Sequence, residues 1–351
     1  MKKIEILETT LRDGSYPINF SFNAADTSLI CKELETAGFR YIEIGHGVGL
    51  NASNQGKGVA AQTDEEYMVA AEEVLKKAKY GMFCIPGIAK IEDIDLAAEH
   101  NMGFIRIGTN VTEVPSSKEY VKRAKEHDIF VTANFMKSYA LDAQQLAKKV
   151  ALSEKYGVDV VYIVDSAGGM FSKDIEEYYE AIRKVSDITL GFHGHDNLGL
   201  AVSNSIESAK MGIKFIDSSL QGLGRSSGNA STEILIAALL KLGFKLDIDF
   251  LKVLDIGQEY IQPLLTNKGV MPLDIVSGYA EFHSSYMHHI QKYSSKYKVR
   301  PELLIIEMCK INKVDLDENI LRAIAKKIKK EEHLYLGKYA FNRYIGREQD
   351  E

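Results

Sequence analysis

The chain has 351 residues, 45% hydrophobic and 26% charged, a balance typical of folded globular proteins that excludes disordered, collagen-like and coiled-coil classes. Its length exceeds one average domain and fits either one large barrel with an appended region or two medium domains. The formal net charge of −6 leaves no basic excess to neutralise phosphates, so we expect no nucleic-acid partner.

The cysteines and the apolar runs indicate the cellular setting. Cys31, Cys84 and Cys309 are scattered and odd in number, which argues against a disulfide framework and for a reducing compartment. No stretch approaches the roughly 20 apolar residues that span a bilayer. The N-terminal segment lacks the apolar run of a signal peptide. We therefore expect a cytoplasmic enzyme with no membrane partner.

Eight short apolar runs, rich in β-branched and aromatic residues, alternate with longer amphipathic stretches. The runs are Lys3–Leu7, Arg40–Ile44, Gly81–Ile85, Phe104–Ile107, Ile129–Asn134, Val158–Val164, Thr189–Phe192 and Lys214–Asp217. Near-continuous apolar character is what parallel strands buried on both faces require. Eight strand–helix units predict an α/β fold, a closed (β/α)8 TIM barrel. An open doubly wound sheet is the alternative, weakened because no G-x-G-x-x-G follows the first strand.

Start and stop signals delimit several of the helices. Asn23 is a candidate cap for a helix that Gly38 would end, and Asp142 precedes a helix that Gly157 would end. Beyond about Leu254 the alternation stops and the pattern is helical, including one helix across 271–297. We predict a barrel over residues 1–255 and a helical region over 256–351 that packs on the barrel and closes the active site.

Polar residues gather where the predicted strands end, which is where barrel enzymes place their catalytic groups. His193 and His195 alternate at the end of strand seven, so both imidazoles can point the same way. Two imidazoles with a carboxylate suit a divalent transition metal such as Mn2+, and Asp13 after strand one is the natural carboxylate. The alternative is that the two histidines are only polar lining at a strand end.

Other strand-end residues have both a functional and a structural interpretation. Arg12 and Glu43 can form an ion pair that orients Arg12 toward a developing enolate oxygen, or one that only stabilises the barrel mouth. The glycine-rich loop 222–228 could approach a phosphate or a metal closely, although loops are often rich in glycine. Asn229 could support the metal ligands or cap a helix.

Several motifs together resemble one superfamily of metal-dependent lyase and Claisen-condensing barrels, which includes 3-hydroxy-3-methylglutaryl-CoA lyase and isopropylmalate synthase. The motifs are LRDG at strand one, Glu43 at strand two, HGHDNLGLAVSNS at strand seven and GLGRSSGNASTE after strand eight. Within the superfamily the chain is most similar to the 4-hydroxy-2-oxovalerate aldolase family of pyruvate aldolases. The segments TTLRDGSYPI, IEIGHGVGL, IPGIAKIEDI, YIVDSAGGM and GYAEFHSSYMHH extend the resemblance over nearly the whole chain.

The resemblance implies a role for each matching residue. The implied metal ligands are Asp13, His193 and His195, usually to Mn2+ with Mg2+ or Co2+ as alternatives, and Asn229 would support or ligate the metal. Arg12 would stabilise a pyruvate enolate while Glu43 positions it, and Ser166 would lie near the pyruvyl group.

The resemblance also implies a reaction and partners. A 4-hydroxy-2-oxoacid such as 4-hydroxy-2-oxovalerate would be cleaved to, or formed from, pyruvate and an aldehyde. This cleavage needs a Lewis acid on the keto group and a base at the 4-hydroxyl, so it requires no lysine. Lys137 after strand five is the position at which to check for a Schiff base. The C-terminal helices would contact an acylating aldehyde dehydrogenase, and we expect a homo-oligomer.

The sequence departs from the family pattern at two positions. The aldolases place a histidine after RDGS as general base, where this chain has Tyr16, and a tyrosine before Ser-Ser, where it has His283. A tyrosine of pKa about 10 is a poor base at neutral pH, whereas histidine titrates near 6.5. We therefore predict that His283 is the base and Tyr16 its hydrogen-bonding partner; the alternative is an altered acceptor pocket in which neither transfers a proton. His46 is a further candidate for the substrate-binding mouth.

Two other functions compete with the aldolase. A Claisen-type acyl-CoA condensing enzyme, or a lyase like 3-hydroxy-3-methylglutaryl-CoA lyase, would share the barrel and the metal. The condensing relatives carry a glutamine soon after RDG, where Ser15 and Tyr16 stand here, and no basic site for a CoA diphosphate is evident. A non-catalytic barrel subunit of an aldehyde dehydrogenase complex is disfavoured because Asp13, His193 and His195 are retained.

Overall fold

Eight parallel strands form a closed barrel in which β8 pairs with β1, which confirms the predicted fold. The computed structural model describes residues 4–265, 272–331, 334 and 336–344. The strands are β1 Glu5–Glu8, β2 Tyr41–Glu43, β3 Lys79–Cys84, β4 Phe104–Asn110, β5 Phe130–Met136, β6 Val160–Asp165, β7 Thr189–Gly194 and β8 Phe215–Ser218. Each of the eight apolar runs of the sequence therefore overlaps one strand.

Helices follow the strands and cover the outside of the barrel. They are α1 Ala24–Ala37, α2 Asp64–Val74, α3 Glu92–Glu99, α4 Lys118–Glu126, α5 Ala143–Tyr156, α6 Ser172–Arg183, α7 Ala201–Met211, α8 Thr232–Lys241 and α9 Phe250–Ile256. Asn23 and Asp142 cap α1 and α5 as predicted. Gly38 and Gly157 end the same helices with φ of 102° and 99°, a left-handed conformation that glycine adopts without strain.

The inside of the barrel is layered, because alternate residues of a strand point to the same side. An apolar layer at the lower end contains Tyr41, Phe104, Val160 and Phe215. Two residues further along the same even-numbered strands stand Glu43, Arg106, Tyr162 and Asp217, all buried. A layer that is usually aliphatic is therefore mostly charged, directly below the strand ends.

The C-terminal region has its own hydrophobic core, separate from that of the barrel. Its helices are α10 Pro272–Ala280, α11 Met287–Tyr297, α12 Pro301–Cys309 and α13 Glu318–Lys327. Buried side chains from Leu273 to Tyr344 form this core, while the barrel core extends to Ile261. The predicted boundary between residues 255 and 256 stays a prediction.

The prediction of a single helix across 271–297 is wrong. The part that the structure describes is two helices, α10 and α11, separated by a turn. Glu281 adopts a left-handed φ of 57°, and the backbone N–H of Phe282 donates to the carbonyl of Ser277, a geometry that ends a helix. The turn matters because it carries His283.

Within the described residues, no helix is long and apolar enough to cross a membrane.

Candidate active site

Three side chains meet at the carboxyl ends of β1 and β7. Asp13 opens the short helical turn Asp13–Ile18 after β1, His193 lies in β7 and His195 directly follows that strand. One ligand atom from each of the three lies within 4.8 Å of the others, and all three residues are buried. The structure thus brings together the three predicted metal ligands.

A carboxylate behind His193 sets the orientation of its ring. His193 Nδ1 lies 2.8 Å from Asp217 Oδ2, so this nitrogen carries the proton and donates it. The opposite nitrogen, Nε2, lies 3.7 Å from Asp13 Oδ2 and keeps its lone pair on the side of the cluster. A carboxylate–histidine pair of this kind is a common support for a metal ligand.

The residues present fit a divalent metal. Burial lowers the pKa of His195 to about 4, against the opposing effect of Asp13, so the imidazole is neutral and able to bind a cation. Burial alone would raise the pKa of Asp13, but Arg12, His195 and His193 lower it below its ordinary value. His195 Nδ1 and Asn229 Oδ1 are buried polar atoms without a hydrogen-bond partner in the described part of the chain. Two imidazoles, a carboxylate and orphaned polar atoms are a suitable donor set for such an ion.

Asn229 lies beside the cluster, as the sequence suggested. Its Nδ2 donates to Asp13 Oδ2 at 2.5 Å. A Cβ on Gly224 would lie 2.7 Å from the Asn229 side chain, so the glycine at 224 lets the loop after β8 pack against the amide. The loop therefore supports the cluster through Asn229.

The predicted ion pair between Arg12 and Glu43 is present. Arg12 Nε donates to Glu43 Oε2 at 2.9 Å, and Arg12 Nη1 lies 2.7 Å from Asp13 Oδ1. The guanidinium is thereby held between the charged layer of the barrel and the candidate metal ligands.

Two residues of this network, Arg106 and Asp217, were not singled out in the sequence. Arg106 Nη1 donates to Glu43 Oε2 at 3.0 Å, and its Nη2 donates to Asp217. Its guanidinium also lies 4.2 Å above the ring of Tyr162. A continuous chain of charges therefore runs from Arg12 to His193 through the barrel interior. The sequence features that could have identified these two residues are a lone arginine inside an apolar strand and an aspartate at the end of β8.

The cluster opens into a cavity of about 730 Å³ at the barrel mouth. Residues from the barrel and the C-terminal region line it, among them Arg12, Asp13, Tyr16, Asn134, Lys137, Ser166, His193, His195, Arg225, His283, Ser285 and Tyr286. Residues distant in sequence, Asp13 and His283 for example, thus share one cavity.

His283 precedes α11 and lines this cavity. Burial, with Arg225 and Lys137 nearby, lowers the pKa of His283 well below its usual value, so the ring is neutral at neutral pH. His283 Nδ1 lies 2.7 Å from Ser285 Oγ and 3.3 Å from the backbone nitrogen of Ser285. The backbone N–H of Ser285 donates to Nδ1, so Nε2 has a free lone pair only in the tautomer that gives up this bond and donates from Nδ1 to Ser285 Oγ.

Tyr16 lines the same cavity, stacked below a cation. The guanidinium of Arg225 lies 4.8 Å above the Tyr16 ring, and the ring meets Phe20 edge-on with 5.3 Å between centroids. Sequence reasoning gave no role to Arg225, which comes from the glycine-rich loop after β8.

His46 does not line the cavity. Its Nδ1 accepts from the backbone N–H of Val48 at 3.0 Å, and its Nε2 lies 3.2 Å from the Gly58 carbonyl. Its ring stacks on Phe20 with 3.9 Å between centroids. Because both ring nitrogens bind backbone groups, the predicted substrate contact of His46 is not supported, and the histidine holds its loop instead.

Ser166 and Lys137 lie side by side in the lining of the cavity. Ser166 Oγ accepts from the backbone N–H of Lys137 at 2.9 Å. The Lys137 ammonium donates to the carbonyl of Val314 and lies 3.4 Å from the Tyr286 hydroxyl, and burial lowers its pKa to about 8. The ammonium is thus bound to the C-terminal region.

A TIM barrel with a buried Asp–His–His cluster at its carboxyl end defines a class, the metal-dependent barrel enzymes. Comparison with known proteins gives the family. The model of the HMGL-like family matches residues 3–259. The chain is 34% identical over 330 residues to the 4-hydroxy-2-oxovalerate aldolase of Carboxydothermus hydrogenoformans, covering 94% of this chain and 98% of that one. The chain therefore belongs to the HMGL-like family, in its 4-hydroxy-2-oxovalerate aldolase branch.

A second sequence relative and one solved structure are also similar to this chain. The 4-hydroxy-2-oxovalerate aldolase of Pelotomaculum thermopropionicum is 37% identical over 307 residues, covering 87% of this chain and 90% of that one. The carboxyl transferase domain of Rhizobium etli pyruvate carboxylase superposes with a TM-score of 0.75 over 93% of this chain and 60% of that one, at 14% identity. The structural likeness concerns the fold alone, and it extends over the C-terminal helices.

Proposed function

We propose that the protein is a divalent-metal-dependent pyruvate aldolase. It cleaves a 4-hydroxy-2-oxoacid, such as 4-hydroxy-2-oxovalerate, to pyruvate and an aldehyde, or joins the two. The observation that carries the proposal is the buried cluster of Asp13, His193 and His195 with Arg12 beside it, in a chain with the relatives described above.

The charges around the cluster favour a cation. In the ion-paired network beside the cluster, Arg12 and Arg106 contribute two positive charges, and Asp13, Glu43 and Asp217 contribute three negative charges. We propose Mn2+ as the resident ion, with Mg2+ and Co2+ as alternatives, because two imidazoles and a carboxylate suit a borderline metal. When bound, the ion supplies Lewis-acid polarisation of the 2-keto group.

Arg12 is the group proposed to stabilise the enolate. Glu43 and Asp13 hold its guanidinium from two sides, so little reorganisation is needed when negative charge develops on the substrate oxygen. Glu43 acts as its positioning residue. Ser166, which lines the same cavity, is proposed to contact the pyruvyl group.

His283 is the proposed general base. Its Nε2 takes the proton from the 4-hydroxyl, the C3–C4 bond breaks, and the electron pair moves into the C2 carbonyl to give the pyruvate enolate. The proton then returns to C3, which yields pyruvate and regenerates the neutral imidazole. In the tautomer that this step requires, His283 Nδ1 donates to Ser285 Oγ, and Tyr16 donates a hydrogen bond to the substrate.

A pyruvate-release assay tests the proposal. Purified protein with added Mn2+ is supplied with a panel of 4-hydroxy-2-oxoacids, and lactate dehydrogenase reports pyruvate. We expect release that EDTA abolishes and Mn2+ restores. An acyl-CoA panel runs in parallel, and turnover of an acyl-CoA in place of the oxoacids would overturn the aldolase assignment.

We also propose that the protein is a cytoplasmic homo-oligomer whose C-terminal helices contact an acylating aldehyde dehydrogenase. The support is the family resemblance and the position of these helices at the cavity, where the aldehyde leaves. Analytical ultracentrifugation of the protein, alone and with the acylating aldehyde dehydrogenase of the same organism, tests the homo-oligomer and the dehydrogenase partner. A monomer with no mixed species would contradict them.

A further inference from the structure

A second cavity of about 450 Å³ adjoins the first. Tyr16 and Arg225 line both cavities, so these two side chains form the wall between them. The second cavity lies among the turn after β1, the loop after β8 and the C-terminal segment 342–344.

The lining of the second cavity is cationic and rich in donors. Two guanidinium groups, from Arg225 and Arg343, border it together with the hydroxyls of Ser226, Ser227 and Ser284. None of the lining residues that the structure describes is an aspartate or a glutamate, although the chain has 49 acidic against 43 basic residues. Guanidinium and hydroxyl donors without a competing carboxylate are the groups that bind phosphate and carboxylate anions.

The carboxylate that binds the lining residue Gln221 is already engaged. Glu233 accepts from the backbone N–H of Gln221 at 2.9 Å and from its side-chain amide at 3.0 Å. It therefore holds the start of the loop after β8 and does not line the cavity.

The loop that carries these donors is tightly constrained. Gly228 has a φ of 93°, and a Cβ there would lie 2.1 Å from the carbonyl oxygen of Gly222. The loop therefore closes on itself and fixes residues 225–227 at the wall. The Ser227 hydroxyl is buried and has no hydrogen-bond partner among the described residues, so it is available to a ligand.

Arg225 is held in place from two sides. Its Nε donates to Ser284 Oγ at 2.8 Å, and its guanidinium lies 4.8 Å above the Tyr16 ring. A cation fixed between the cavity with the metal cluster and the second cavity is suited to a substrate that extends from one into the other.

We propose that the second cavity binds an anionic group on the aldehyde half of the substrate, so that the preferred acceptors are aldehydes bearing a phosphate or a carboxylate. The inference rests on the proposed function, because the pyruvate half lies at the metal cluster and the aldehyde half extends past Tyr16. Arg225, Arg343 and Ser227 bind the anion. A short neutral aldehyde brings no anionic group to this cavity.

Aldol addition of pyruvate to three aldehydes tests the inference: glyceraldehyde 3-phosphate, succinic semialdehyde and butanal. We expect kcat/KM for the preferred anionic aldehyde to exceed that for butanal by at least about 100-fold, the effect of two charge-assisted hydrogen bonds. Whichever anionic aldehyde is faster identifies phosphate or carboxylate as the bound group.

Variants assign the effect to the second cavity. Arg343→Gln should lower the ratio of anionic to neutral kcat/KM at least about tenfold, and Ser227→Ala should lower it about threefold or more. Arg322→Gln, on the exposed surface of α13, removes the same charge outside both cavities and should keep the wild-type ratio.

Exchange of the pyruvate C3 protons with D2O separates the inference from the proposed function, since it needs no aldehyde. The proposal of an anionic acceptor is overturned if the wild type exchanges the pyruvate protons but has equal kcat/KM for all three aldehydes. It is also overturned if exchange occurs and Arg343→Gln keeps the wild-type ratio of anionic to neutral kcat/KM. Absence of exchange in the wild type contradicts the aldolase itself, and the inference falls with it.

Discussion

Asp217 decides which nitrogen of His193 faces Asp13. Because Asp217 fixes the proton on Nδ1, the Nε2 lone pair is directed to the cluster before any ion binds. At this scale the sequence identified Asp13, His193 and His195, which the structure brings together, since these residue types stand out at strand ends. It did not identify Asp217 or Arg106, because their roles depend on contacts across the barrel.

Replacing Asp217 by Asn should weaken metal binding. The amide cannot accept from Nδ1 with the strength of a carboxylate, so we expect a 10- to 100-fold loss of Mn2+ affinity, on the order found for such supporting groups. Isothermal titration calorimetry measures the affinity. Asp187→Asn, on an exposed loop before β7, is the matched control, and equal affinities in all three proteins would exclude the supporting role.

The variants His283→Ala and Tyr16→Phe should distinguish the general base from the residue that donates a hydrogen bond. Loss of the base should lower kcat about 10²- to 10⁴-fold, the usual contribution of a general base, whereas loss of a hydrogen-bonding hydroxyl should cost less. Steady-state pyruvate release gives both values. Equal small losses in the two variants would show that neither residue transfers the proton.

The pH profile of kcat/KM should report the same group. A neutral histidine is the active base, so the rate should rise with pH through the lowered pKa of His283 and level off below pH about 6.5. Initial rates across the pH range measure this limb. If kcat/KM of the His283→Ala variant rises over the same pH range as that of the wild type, the rise belongs to another group.

At the scale of elements, the layers of the barrel explain both what the sequence predicted and what it missed. All eight strands and the caps at Asn23 and Asp142 were predicted, because apolar runs and capping residues act locally. The turn between α10 and α11 was missed because it depends on Glu281, a residue type with no preference for the left-handed conformation. That turn carries His283, which the sequence nevertheless singled out because the family pattern places a tyrosine at this position.

Arg106→Leu should destabilise the barrel. The substitution leaves Glu43 and Asp217 buried with one cationic partner fewer each, and loss of one member of a buried ion pair costs about 3–5 kcal/mol. Urea unfolding measures the free energy. Arg123→Leu removes two partly exposed ion pairs, with Asp95 and Glu126, and should cost about 1 kcal/mol or less for each, so a loss per ion pair equal to that of Arg106→Leu would contradict the role of the charged layer.

At the scale of the whole molecule, the site depends on closure of the barrel and on the C-terminal region together. Glu8 at the end of β1 accepts from the backbone N–H groups of Thr10 and Leu220, which ties the first strand to the loop after the last one. The Lys137 ammonium joins β5 to the C-terminal region at Val314. Spacing in the sequence could not predict such contacts, because they join residues far apart in the chain.

Burial raises the pKa of Glu8 from 4.5 to about 7, which predicts a pH-dependent stability. The folded state binds the proton more tightly than the unfolded state, so the contribution is complete below pH 4.5 and is lost as the pH rises through 7. The shift corresponds to a loss on the order of 3 kcal/mol.

Urea unfolding of Glu8→Gln against the wild type tests this point. The stability of the variant relative to the wild type should increase between pH 4.5 and 7.5. Glu73→Gln, an exposed residue of α2, is the control and should show no such trend. A difference for Glu8→Gln that does not change with pH would mean that Glu8 is ionised in the folded protein throughout.

The most direct test of the central claim is deuterium incorporation at C3 of pyruvate, followed by mass spectrometry without any aldehyde. We predict that the protein incorporates deuterium in the presence of Mn2+ and that EDTA abolishes this incorporation. The Asp13→Asn variant should not incorporate deuterium. Treatment of the wild type with borohydride and pyruvate should leave the incorporation unchanged. Incorporation that survives complete removal of metal, together with inactivation by borohydride and labelling of Lys137, would contradict the account and establish a Schiff-base aldolase.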